Sequence, residues 1–443
     1  MAHVTNFLGL LEQLQSADIT VHQGRCAIVR NRNATCMKCA DVCTSGCISY
    51  DDNELVIEPE RCIGCGTCAT VCPTCALEAH RPNDAELLQA CRAAADVADG
   101  QVVIACDQLL AAADGLYDPE KVVGVTCRFR DNAATERAAA DAAAVCSQLG
   151  IRHEAPGCVG EFERCVVEPF VSSYAAGLTP SPCVGCNARC KMPALVRVAD
   201  ELGCDRIATG HYARIARLSD SGRFVVKRAL DARKDQSYML SLLSQEQLAR
   251  LVLPLGAMTK AEVRVIAADL GLVVAEKAES QDNCFIEGDY RPFLRARGVE
   301  DAPGDIVDRM GNVLGCHEGL ANYTVGQRKG IGVAGPEPYY VVEKRVETRE
   351  LVVGFADETL IGSVVVGDMN WQAFESLGES YGAMVKLRYR SRPCACIIEP
   401  EDDQRVSLAL RSPQPTTAPG QYAVLYDGDT VLGGGMIEEV MHA

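Results

Sequence analysis

The chain has 443 residues, which exceeds one ordinary hydrophobic core and predicts about three domains of roughly 100–200 residues each. Its composition is that of a globular protein. The sequence shows neither a basic leader followed by an apolar run nor an apolar stretch near the ~18 residues of a spanning helix. We therefore expect a cytoplasmic protein without a membrane partner. The formal net charge of −17 would repel nucleic acid, so any such partner needs a local basic surface.

Cysteine is the most informative residue type, because many of the 24 cysteines fall in CxxC-type groups that suit metal binding by reduced thiols. Two such groups lie near the N-terminus, and the second has the spacing CxxCxxCxxxCP that is typical of bacterial ferredoxins. The cysteines of the first group are Cys36, Cys39, Cys43 and Cys47, and those of the second are Cys62, Cys65, Cys68 and Cys72. A pair of zinc sites is the alternative interpretation, since CxxC also suits tetrahedral zinc.

Together the two groups resemble a two-cluster ferredoxin module. The resemblance implies one 4Fe–4S cluster on Cys36, Cys39, Cys43 and Cys72, and a second on Cys62, Cys65, Cys68 and Cys47. Cys26 and Cys75 are expected to be structural cysteines. The apolar runs at residues 26–29 and 55–57 predict short strands beside the cluster loops.

The region that follows predicts an α/β arrangement. An Ala/Leu-rich pattern predicts a helix over 84–97. Two apolar runs at 102–106 and 122–126 predict buried strands, with a helical stretch between them. A further helix is expected over 133–150. Strand, helix and strand at this spacing predict a βαβ unit and a parallel sheet. After Gly304 the chain changes to short β-like runs separated by glycine, so the last ~130 residues predict an all-β barrel or sandwich.

Six stretches, spread from Thr179 to Ile437 in one order, resemble the bacterial tRNA-specific 2-thiouridylase family, whose ATP-dependent members replace the 2-oxygen of the wobble uridine with sulfur. They are "TPSPCVGCNARCKM" (179–192), "ATGHYARI" (208–215), "ARKDQSYML" (232–240), "ESQDNCFI" (279–286), "NYTVGQRKGIG" (322–332) and "APGQYAVLYDGDTVLGGGMI" (418–437).

The resemblance begins near Val122 and implies a Rossmann-like nucleotide-binding core of the PP-loop type, a small central domain and a C-terminal β-barrel. With the iron–sulfur module in front, we expect domains at 1–100, 101–245, 246–306 and 307–443.

By the same resemblance, Cys186 and the distant Cys284 are the residues that carry out the sulfur chemistry. Many family members have Asp where this chain has Cys183. Cys183, Cys186 and Cys284 would then form a three-thiolate set, similar to thiouridylases proposed to hold a 4Fe–4S cluster with one open iron that binds sulfide. A structural dithiol or a transient disulfide is the alternative for Cys183 and Cys186.

Further residues receive roles from the resemblance alone. Gly210 and Cys127 are expected to bind the nucleotide, while His211 is either a site residue or a core histidine. The residues expected near tRNA or substrate are Asn187, Lys191, Lys234, Asp235, Gln236, Gln327, Arg328 and Lys329. The expected partners are tRNA, a sulfur donor (a cysteine desulfurase, a sulfur carrier or sulfide) and a redox partner.

An independent pattern favours an RNA partner. Basic residues alternate in "VKLRYRSRP", so in a continuous strand their side chains would point to one face and suit phosphate binding. They are Lys386, Arg388, Arg390 and Arg392. A solvated edge strand guarded by positive charge is the alternative. Cys394 and Cys396 share a face and are expected to be structural.

One family feature is missing from the sequence. In the family, the backbone amides of an SGGxDS loop bind the pyrophosphate of ATP, and this loop does not occur in the sequence. Residues 106–110 (CDQLL) stand in its place, so the acidic Asp107 lies where an anion should bind. ATP binding is therefore expected to be weakened or lost. Two hypotheses follow: an iron–sulfur-dependent tRNA 2-thiouridylase, or an iron–sulfur electron-transfer protein with a tRNA-binding but ATP-inactive thiouridylase region.

Overall fold

The computed structural model describes residues 19–30, 36–41, 43, 47–51, 54–58, 61, 72, 74, 76–79, 101–105, 122–269, 284–286 and 288–443. The chain divides into two compact units, one formed by residues 1–99 with 115–118 and the other by 100–114 with 119–443. Each unit has a hydrophobic core of its own.

The first unit contains two small antiparallel β-ladders and short helices. Its strands are β1 (Ile19–Val21), β2 (Ile48–Asp51), β3 (Glu54–Ile57) and β4 (Leu77–Ala79), and its helices are α1 (Ala27–Arg30) and α2 (Lys38–Asp41), with a 3₁₀ turn at Gln23–Arg25. Strand β1 pairs with β4, and β2 pairs with β3.

The predicted strand at 55–57 is confirmed as β3, but the strand predicted at 26–29 is wrong, because these residues form helix α1. The Arg30 N–H donates to the Cys26 carbonyl at 3.0 Å, which closes a helical turn. A short apolar run cannot be assigned to a buried strand or a buried helix by periodicity alone. Cys26 itself is buried in the core, as expected.

The second unit holds most of the secondary structure. Its strands are β5 (Gln101–Ala105), β6 (Val122–Val125), β7 (Arg152–Glu154), β8 (Cys204–Thr209), β9 (Ala213–Arg217), β10 (Phe224–Arg228), β11 (Leu251–Val252), β12 (Gly304–Val307), β13 (Val313–His317), β14 (Tyr340–Arg345), β15 (Glu350–Gly354), β16 (Leu360–Trp371), β17 (Tyr381–Lys386), β18 (Cys394–Pro400), β19 (Val406–Pro415), β20 (Tyr422–Asp427) and β21 (Thr430–His442).

The helices of this unit include two long ones with a π-helical segment in the middle. In chain order they are α3 (Ala133–Gln148), α4 (Val159–Phe162, the π-helical Glu163–Val167, and Glu168–Ala175), α5 (Pro182–Cys186, the π-helical Asn187–Lys191, and Met192–Leu202), α6 (Gln245–Arg250), α7 (Lys260–Asp269) and α8 (Tyr290–Ala296). Short 3₁₀ segments lie at Ser237–Leu240, Pro254–Ala257, Leu320–Asn322 and Asp357–Thr359.

Five strands form a parallel sheet in the order β7-β6-β5-β8-β11. The predicted parallel pairing of the strands at 102–106 and 122–126 is confirmed by β5 and β6. Helix α3 confirms the helix predicted at 133–150: the Asn132 side chain caps its first turn, and Gly150 follows it with a φ of +69°. The helix predicted at 84–97 and the stretch between β5 and β6 lie outside the described residues.

From Gly304 onward the chain is all-β apart from short 3₁₀ segments, as the glycine-punctuated runs predicted. Strands β12 to β15 form a four-stranded sheet, and six further strands close into a barrel in the order β16-β19-β18-β17-β20-β21 through the pairing of β16 with β21. Strands β10 and β9 extend this sheet from β21. The predicted fold class is thereby confirmed for these parts: a Rossmann-like core, a central region and a C-terminal β-barrel. The domain boundaries themselves stay predictions.

One hydrophobic core joins the parallel sheet to the barrel. It contains Val123 from β6, Leu195 from α5, and Tyr422 and Tyr426 from β20. Gln372 is fully buried at the same junction, where its side chain bonds to the backbones of Val226, Leu240 and Ser241. The barrel therefore shares a hydrophobic core with the face of the α/β core that carries α5.

Candidate functional site

Helix α5 carries the cysteines that sequence analysis places at the centre of the chemistry. Pro182 occupies its first turn, where the missing N–H costs no helical hydrogen bond, and Gly203 ends it with a φ of +70°. Met192, Leu195 and Val198 anchor its second half in the core. Cys183 and Cys186 lie in the α-helical first segment, and Cys190 lies in the π-helical one. Insertions of π-helix are frequent at functional sites.

The three thiols of α5 differ in exposure and acidity. Cys183 is exposed, Cys186 is half-buried, and Cys190 is buried with only 2% of its surface accessible. A hydrogen bond from the Cys190 thiol and the charge of Lys191 lower the pKa of Cys186 to about 7 against the opposing effect of burial. The interaction with Cys186 and burial raise the pKa of Cys190. Desolvation by the surrounding protein, followed by the neighbouring Cys186 thiol, raises the pKa of Cys183.

Cys284 belongs to the same region of the molecule as Cys186. Its side chain is exposed, and its carbonyl accepts a hydrogen bond from Nη1 of Arg130 at 2.9 Å. The next residue, Phe285, is buried in an aromatic cluster with Phe162, Phe170 and Phe293, and Cys186 packs against this cluster. The two cysteines assigned to sulfur chemistry therefore flank one hydrophobic cluster.

A metal-binding arrangement of Cys183, Cys186 and Cys284 is not seen. Within the described part of the chain, no group of three or more His, Cys, Asp or Glu side chains is placed to hold a metal ion. A cluster on the three predicted ligands stays a prediction.

A second pair of thiols, not predicted from the sequence, lies beside the site. Cys127 follows β6 and influences the pKa of Cys158, which is buried at the start of α4. Nη2 of Arg197 lies 3.9 Å from Sγ of Cys158, and the hydrogen bond from Cys127 lowers the pKa of Cys158. Cys158 and Cys165 both act electrostatically on Cys190, so the two thiol pairs form one neighbourhood. The four-residue spacing from Cys186 could have revealed Cys190, but no local signal identifies Cys158.

The expected nucleotide-binding residues lie at the edge of the sheet where the strand order changes direction. Strand β5 is the central strand, with β6 on one side and β8 on the other, and ligands of such sheets bind outside the carboxyl ends of the strands at this point. Cys127 follows β6, and Gly210 follows β8. They thus stand on either side of the end of β5. The loop at 106–110 lies outside the described residues, so the prediction about ATP stays open.

His211 is half-buried at the same edge. Its Nδ1 lies 2.8 Å from the Thr209 hydroxyl, and burial together with Lys191 lowers the pKa of His211 to about 3. The imidazole is therefore neutral at physiological pH. Lys191 acts electrostatically on His211, Cys127, Cys183 and Cys186, which makes it the cation shared by the whole site.

Several residues expected near substrate make contacts that hold the site together. The Asp235 carboxylate accepts from the N–H groups of Ala229 and Ser237, and Gln236 exchanges hydrogen bonds with Tyr212 through its side chain and backbone. Asn187 is buried and donates to the Met239 carbonyl. Lys234 is half-buried, and its N–H donates to the Asp231 carbonyl.

The loop expected to approach tRNA presents its cations to solvent. Gln327 fixes the loop, since its side chain accepts from the Thr324 N–H and donates to the Lys329 carbonyl. Arg328 and Lys329 are exposed, and Gly330 follows with a φ of +78°. This placement is compatible with contact to a polyanion.

The predicted stripe of four cations on one strand face is wrong. Strand β17 ends at Lys386, and the chain then turns, so Arg388, Arg390 and Arg392 lie beyond the strand. Arg388 points inward, where its Nη2 donates to the carbonyls of Val325 and Thr416. Arg390 and Arg392 are exposed. Cys394 and Cys396 lie in β18, and Cys396 is buried in the barrel core, in agreement with a structural role.

In the first unit, five of the eight predicted cluster ligands are described. Cys39 and Cys47 are buried in the small core, against which Cys43 and Cys72 pack, while Cys36 is half-buried. The Sγ atoms of Cys43 and Cys47 are 3.4 Å apart, and Sγ of Cys72 accepts the Ala76 N–H at 3.2 Å. Thiols gathered in a core and supplied with backbone donors suit an iron–sulfur cluster. Cys62, Cys65 and Cys68 lie outside the described residues.

The fold and the site define a class of protein: a thiol-bearing Rossmann-like core joined to a β-barrel, behind an iron–sulfur module. Four family descriptions match in this order, namely the 4Fe-4S binding domain at residues 55–78, the tRNA methyl transferase HUP domain at 119–288, the tRNA methyl transferase PRC-barrel domain at 291–355 and the aminomethyltransferase beta-barrel domain at 361–437. No helix among the described residues is long and apolar enough to cross a membrane.

Similar proteins narrow this class to one family. The chain is 48% identical to the tRNA-specific 2-thiouridylase MnmA of Geobacter metallireducens over 303 residues, which cover 68% of this chain and 82% of that protein. It is 41% identical to the enzyme of the same name from Carboxydothermus hydrogenoformans over 346 residues, covering 75% of this chain and 95% of that one. The chain belongs to the tRNA-specific 2-thiouridylase family, and the predicted resemblance is confirmed.

A solved structure with a lower similarity is the U34-tRNA thiolase NcsA from Methanococcus maripaludis with its [4Fe-4S] cluster. The TM-score is 0.29 at 16% identity, over 48% of this chain and 70% of that chain. A likeness at this level carries no argument about the present chain.

Proposed function

We propose that this chain is a tRNA-uridine 2-sulfurtransferase that replaces the 2-oxygen of the wobble uridine with sulfur, and that Cys186 handles the transferred sulfur. The observation that carries the proposal is the thiol site on α5, where Cys186 has a pKa of about 7 beside Lys191. At physiological pH about half of such a thiol is thiolate, the form that accepts and donates sulfur. Cys284, which precedes Phe285 of the hydrophobic cluster that Cys186 packs against, is the second sulfur-handling residue.

The reaction requires three chemical events. Adenylation by ATP turns the uridine 2-oxygen into a leaving group, a sulfur nucleophile attacks the activated carbon, and AMP departs with the oxygen. Lys191 places positive charge beside the nucleophile, whereas the low pKa of His211 keeps its imidazole neutral. The uridine must leave its stack to reach the thiols, because a stacked base shields the reacting carbon.

The nucleotide is proposed to bind at the carboxyl end of β5, between Cys127 and Gly210. The position follows from the strand order of the sheet. The sequence at 106–110 lacks the glycines that normally let backbone amides approach the phosphates. ATP is therefore expected to bind more weakly than in a chain that has the SGGxDS loop.

The N-terminal module is proposed to make the enzyme iron–sulfur dependent. The ligand sets are Cys36, Cys39, Cys43 and Cys72 for one cluster and Cys62, Cys65, Cys68 and Cys47 for the other. Such clusters supply single electrons when bound. In the alternative form of the site, Cys183, Cys186 and Cys284 hold a further cluster.

The second candidate function is an iron–sulfur electron-transfer protein that binds tRNA without ATP chemistry. The missing SGGxDS loop favours it, while the arrangement around Cys186 and Lys191 favours the sulfurtransferase. Both candidates predict tRNA binding, so only product formation distinguishes them.

The test uses anaerobically purified full-length protein with reconstituted clusters. It is incubated with unmodified tRNA and sulfide, with or without ATP, and 2-thiouridine is measured by nucleoside mass spectrometry. We expect product only with ATP, none in Cys186→Ala, and undiminished product in Cys204→Ala, which removes a buried thiol of β8 as the matched control. Cys65→Ser, measured for iron content as well as product, tests the dependence on the module. Absence of 2-thiouridine with retained tRNA binding would establish the second candidate.

A further inference from the structure

A pocket that opens to solvent lies beside the segment that carries Cys284, and it has no role in the chemistry described so far. It is formed by the turn after β6, the first part of α4, helix α8 and Phe285, and its volume is about 190 Å³. Val159, the first residue of α4, lines the pocket and is 42% exposed, so it marks the open side. The wall is made of four phenylalanine rings, namely Phe129, Phe162, Phe285 and Phe293.

The four rings hold one another in fixed orientations. The ring centres of Phe129 and Phe162 are 5.5 Å apart, those of Phe162 and Phe285 are 5.7 Å apart, and those of Phe285 and Phe293 are 5.6 Å apart. These are tilted and edge-to-face contacts, which aromatic pairs prefer. Phe162 and Phe285 are buried, whereas Phe129 and Phe293 are half-buried. The pocket therefore offers aromatic surface that is already in place before a ligand arrives.

The rim of the pocket carries two cations and two carboxylates, so its formal charge is zero. Arg130 and Arg297 supply hydrogen-bond donors, and Asp131 and Glu163 supply acceptors. Nη2 of Arg297 lies 3.4 Å from a Glu163 oxygen, and the guanidinium carbon of Arg297 lies 5.0 Å from the centre of the Phe293 ring. A ligand with an aromatic ring and with both donors and acceptors along its edge matches this combination.

We propose that the pocket binds an unstacked base of the tRNA, adjacent in the RNA chain to the reacting uridine. Single-stranded RNA is recognised in this way, by stacking of bases on aromatic side chains and by hydrogen bonds to the base edges. The inference rests on the proposed function, in which the uridine leaves its stack at the thiol site. It adds the place that holds the neighbouring base.

The pocket is directly connected to the thiol site. Arg130 lines the pocket, and its Nη1 donates to the Cys284 carbonyl at 2.9 Å. Phe285 follows Cys284, so the wall of the pocket is one residue, about 3.8 Å in Cα positions, from the second proposed sulfur-handling residue. Cys186 packs against the cluster that contains Phe285. When the uridine leaves its stack, its neighbour loses a stacking partner, and the phenylalanine surface offsets that loss.

Other ligands fit the rim less well. A phosphate group would meet the carboxylates of Asp131 and Glu163 as well as the two arginines. An apolar side chain of a protein partner would fill the wall but would desolvate the charged rim without giving it hydrogen bonds. A neutral base provides ring surface for the phenylalanines and polar edge atoms for the rim.

The experiment measures the affinity of the full-length protein for tRNA in the absence of ATP and sulfide. The probes are unmodified tRNA and two otherwise identical tRNAs with an abasic nucleotide on the 5′ or the 3′ side of the wobble uridine. We expect one abasic tRNA to bind about 5–150-fold more weakly than the intact tRNA, because stacking of one base on an aromatic side chain contributes that much to affinity.

Val159→Glu is the variant that closes the pocket. It places a carboxylate on the open side, and an acidic residue is favourable in the first turn of a helix, so the fold is retained. Intact tRNA should bind the variant more weakly, and the abasic change should then cost nothing further, because both changes remove the same contact. Val313→Glu is the matched control: Val313 is exposed on β13 and does not line the pocket, so the penalty for the abasic tRNA should persist.

Phe293→Leu is a second variant, which keeps an apolar side chain but removes a half-buried ring from the wall. It should reduce the penalty for the same abasic tRNA. The absence of a penalty for either abasic tRNA, or penalties that add in full to the effects of Val159→Glu and Phe293→Leu, would overturn the proposal and leave the pocket to another kind of ligand.

The binding result is separate from product formation. A shared effect of the abasic nucleotide and Val159→Glu, without 2-thiouridine when ATP and sulfide are added, would retain the base pocket and reject the proposed function. Product formation without this shared effect would reject the base pocket alone.

Discussion

Arg388 should act as a structural brace and not as a phosphate ligand. Its Nη2 donates to the Thr416 carbonyl at 2.7 Å and to the Val325 carbonyl at 3.2 Å, so one half-buried guanidinium joins the barrel to the loop that presents Arg328 and Lys329. Gly326 leaves room for it, since a Cβ there would lie 3.2 Å from Nη2. Arg388→Met removes both hydrogen bonds and keeps most of the side chain's apolar stem.

The size of the effect follows from the two bonds. A hydrogen bond to a charged group contributes about 1.5–3 kcal/mol, and with a discount for partial exposure the pair should contribute about 2 kcal/mol. The free energy of local opening of residues 319–333 should fall by that amount. Amide hydrogen exchange in this loop should then be about 30-fold faster, which peptide-resolved mass spectrometry measures directly.

Arg390→Met is the matched control. Arg390 is exposed and makes no hydrogen bond or ion pair within the described part of the chain. Its loss should leave exchange in the loop unchanged while tRNA affinity falls and the salt dependence of binding becomes shallower by about one phosphate contact. If both variants weaken tRNA binding equally and neither changes exchange, the inward orientation of Arg388 is wrong and the cation stripe is restored.

Two further outcomes follow from the site and its support. The rate of Cys186 alkylation by iodoacetamide, measured by peptide mass spectrometry, should reach half its maximum near pH 7. Lys191→Met should move this midpoint to higher pH, because the variant loses a cation that favours the thiolate. An unchanged midpoint would contradict the role given to Lys191. Gln372→Leu should lower the free energy of unfolding by about 2 kcal/mol, because it leaves the buried Val226 N–H without its side-chain partner and removes one of the hydrogen bonds to the carbonyls of Leu240 and Ser241. A thermal midpoint within a degree or so of wild type would show that the Val226 N–H finds another partner.

Regular patterns predicted the fold, and their failures have physical causes. Strands β5 and β6 could be predicted because each is a short continuous apolar run, and helix α3 because an Ala-rich stretch ends at Gly150. The alternation of Lys386, Arg388 and Arg390 looked like a strand, but hydrogen bonds from Arg388 to two distant carbonyls fix a turn there. Tertiary partners of this kind cannot be identified from spacing within nine residues.

The site was predicted in part for a similar reason. Cys186 and Cys284 could be found by their motifs, and the shared cluster around Phe285 supports their proximity. The pairing of Cys127 with Cys158 depends on β6 and the start of α4 meeting at the edge of the sheet, which the sequence does not reveal. Asn187 and Asp235 fell within motifs expected to contact substrate, yet their side chains bond to the protein's own backbone.

A hydrogen bond between α5 and strand β20 connects the barrel to the helix that carries Cys186. Gly185 lies between Cys183 and Cys186, and a Cβ there would stand 2.8 Å from Nη2 of Arg189. The same Nη2 donates to the Tyr422 hydroxyl on β20 at 2.9 Å. Gly185 therefore leaves room for the Arg189 side chain, whose hydrogen bond to Tyr422 connects the barrel to the turn of α5 that carries the thiols. Because Tyr422 also belongs to the core shared by the sheet and the barrel, a displacement of the barrel would move the turn of α5 that carries Cys186. Cys186 is half-buried, so such a movement would change the exposure of its thiol to solvent.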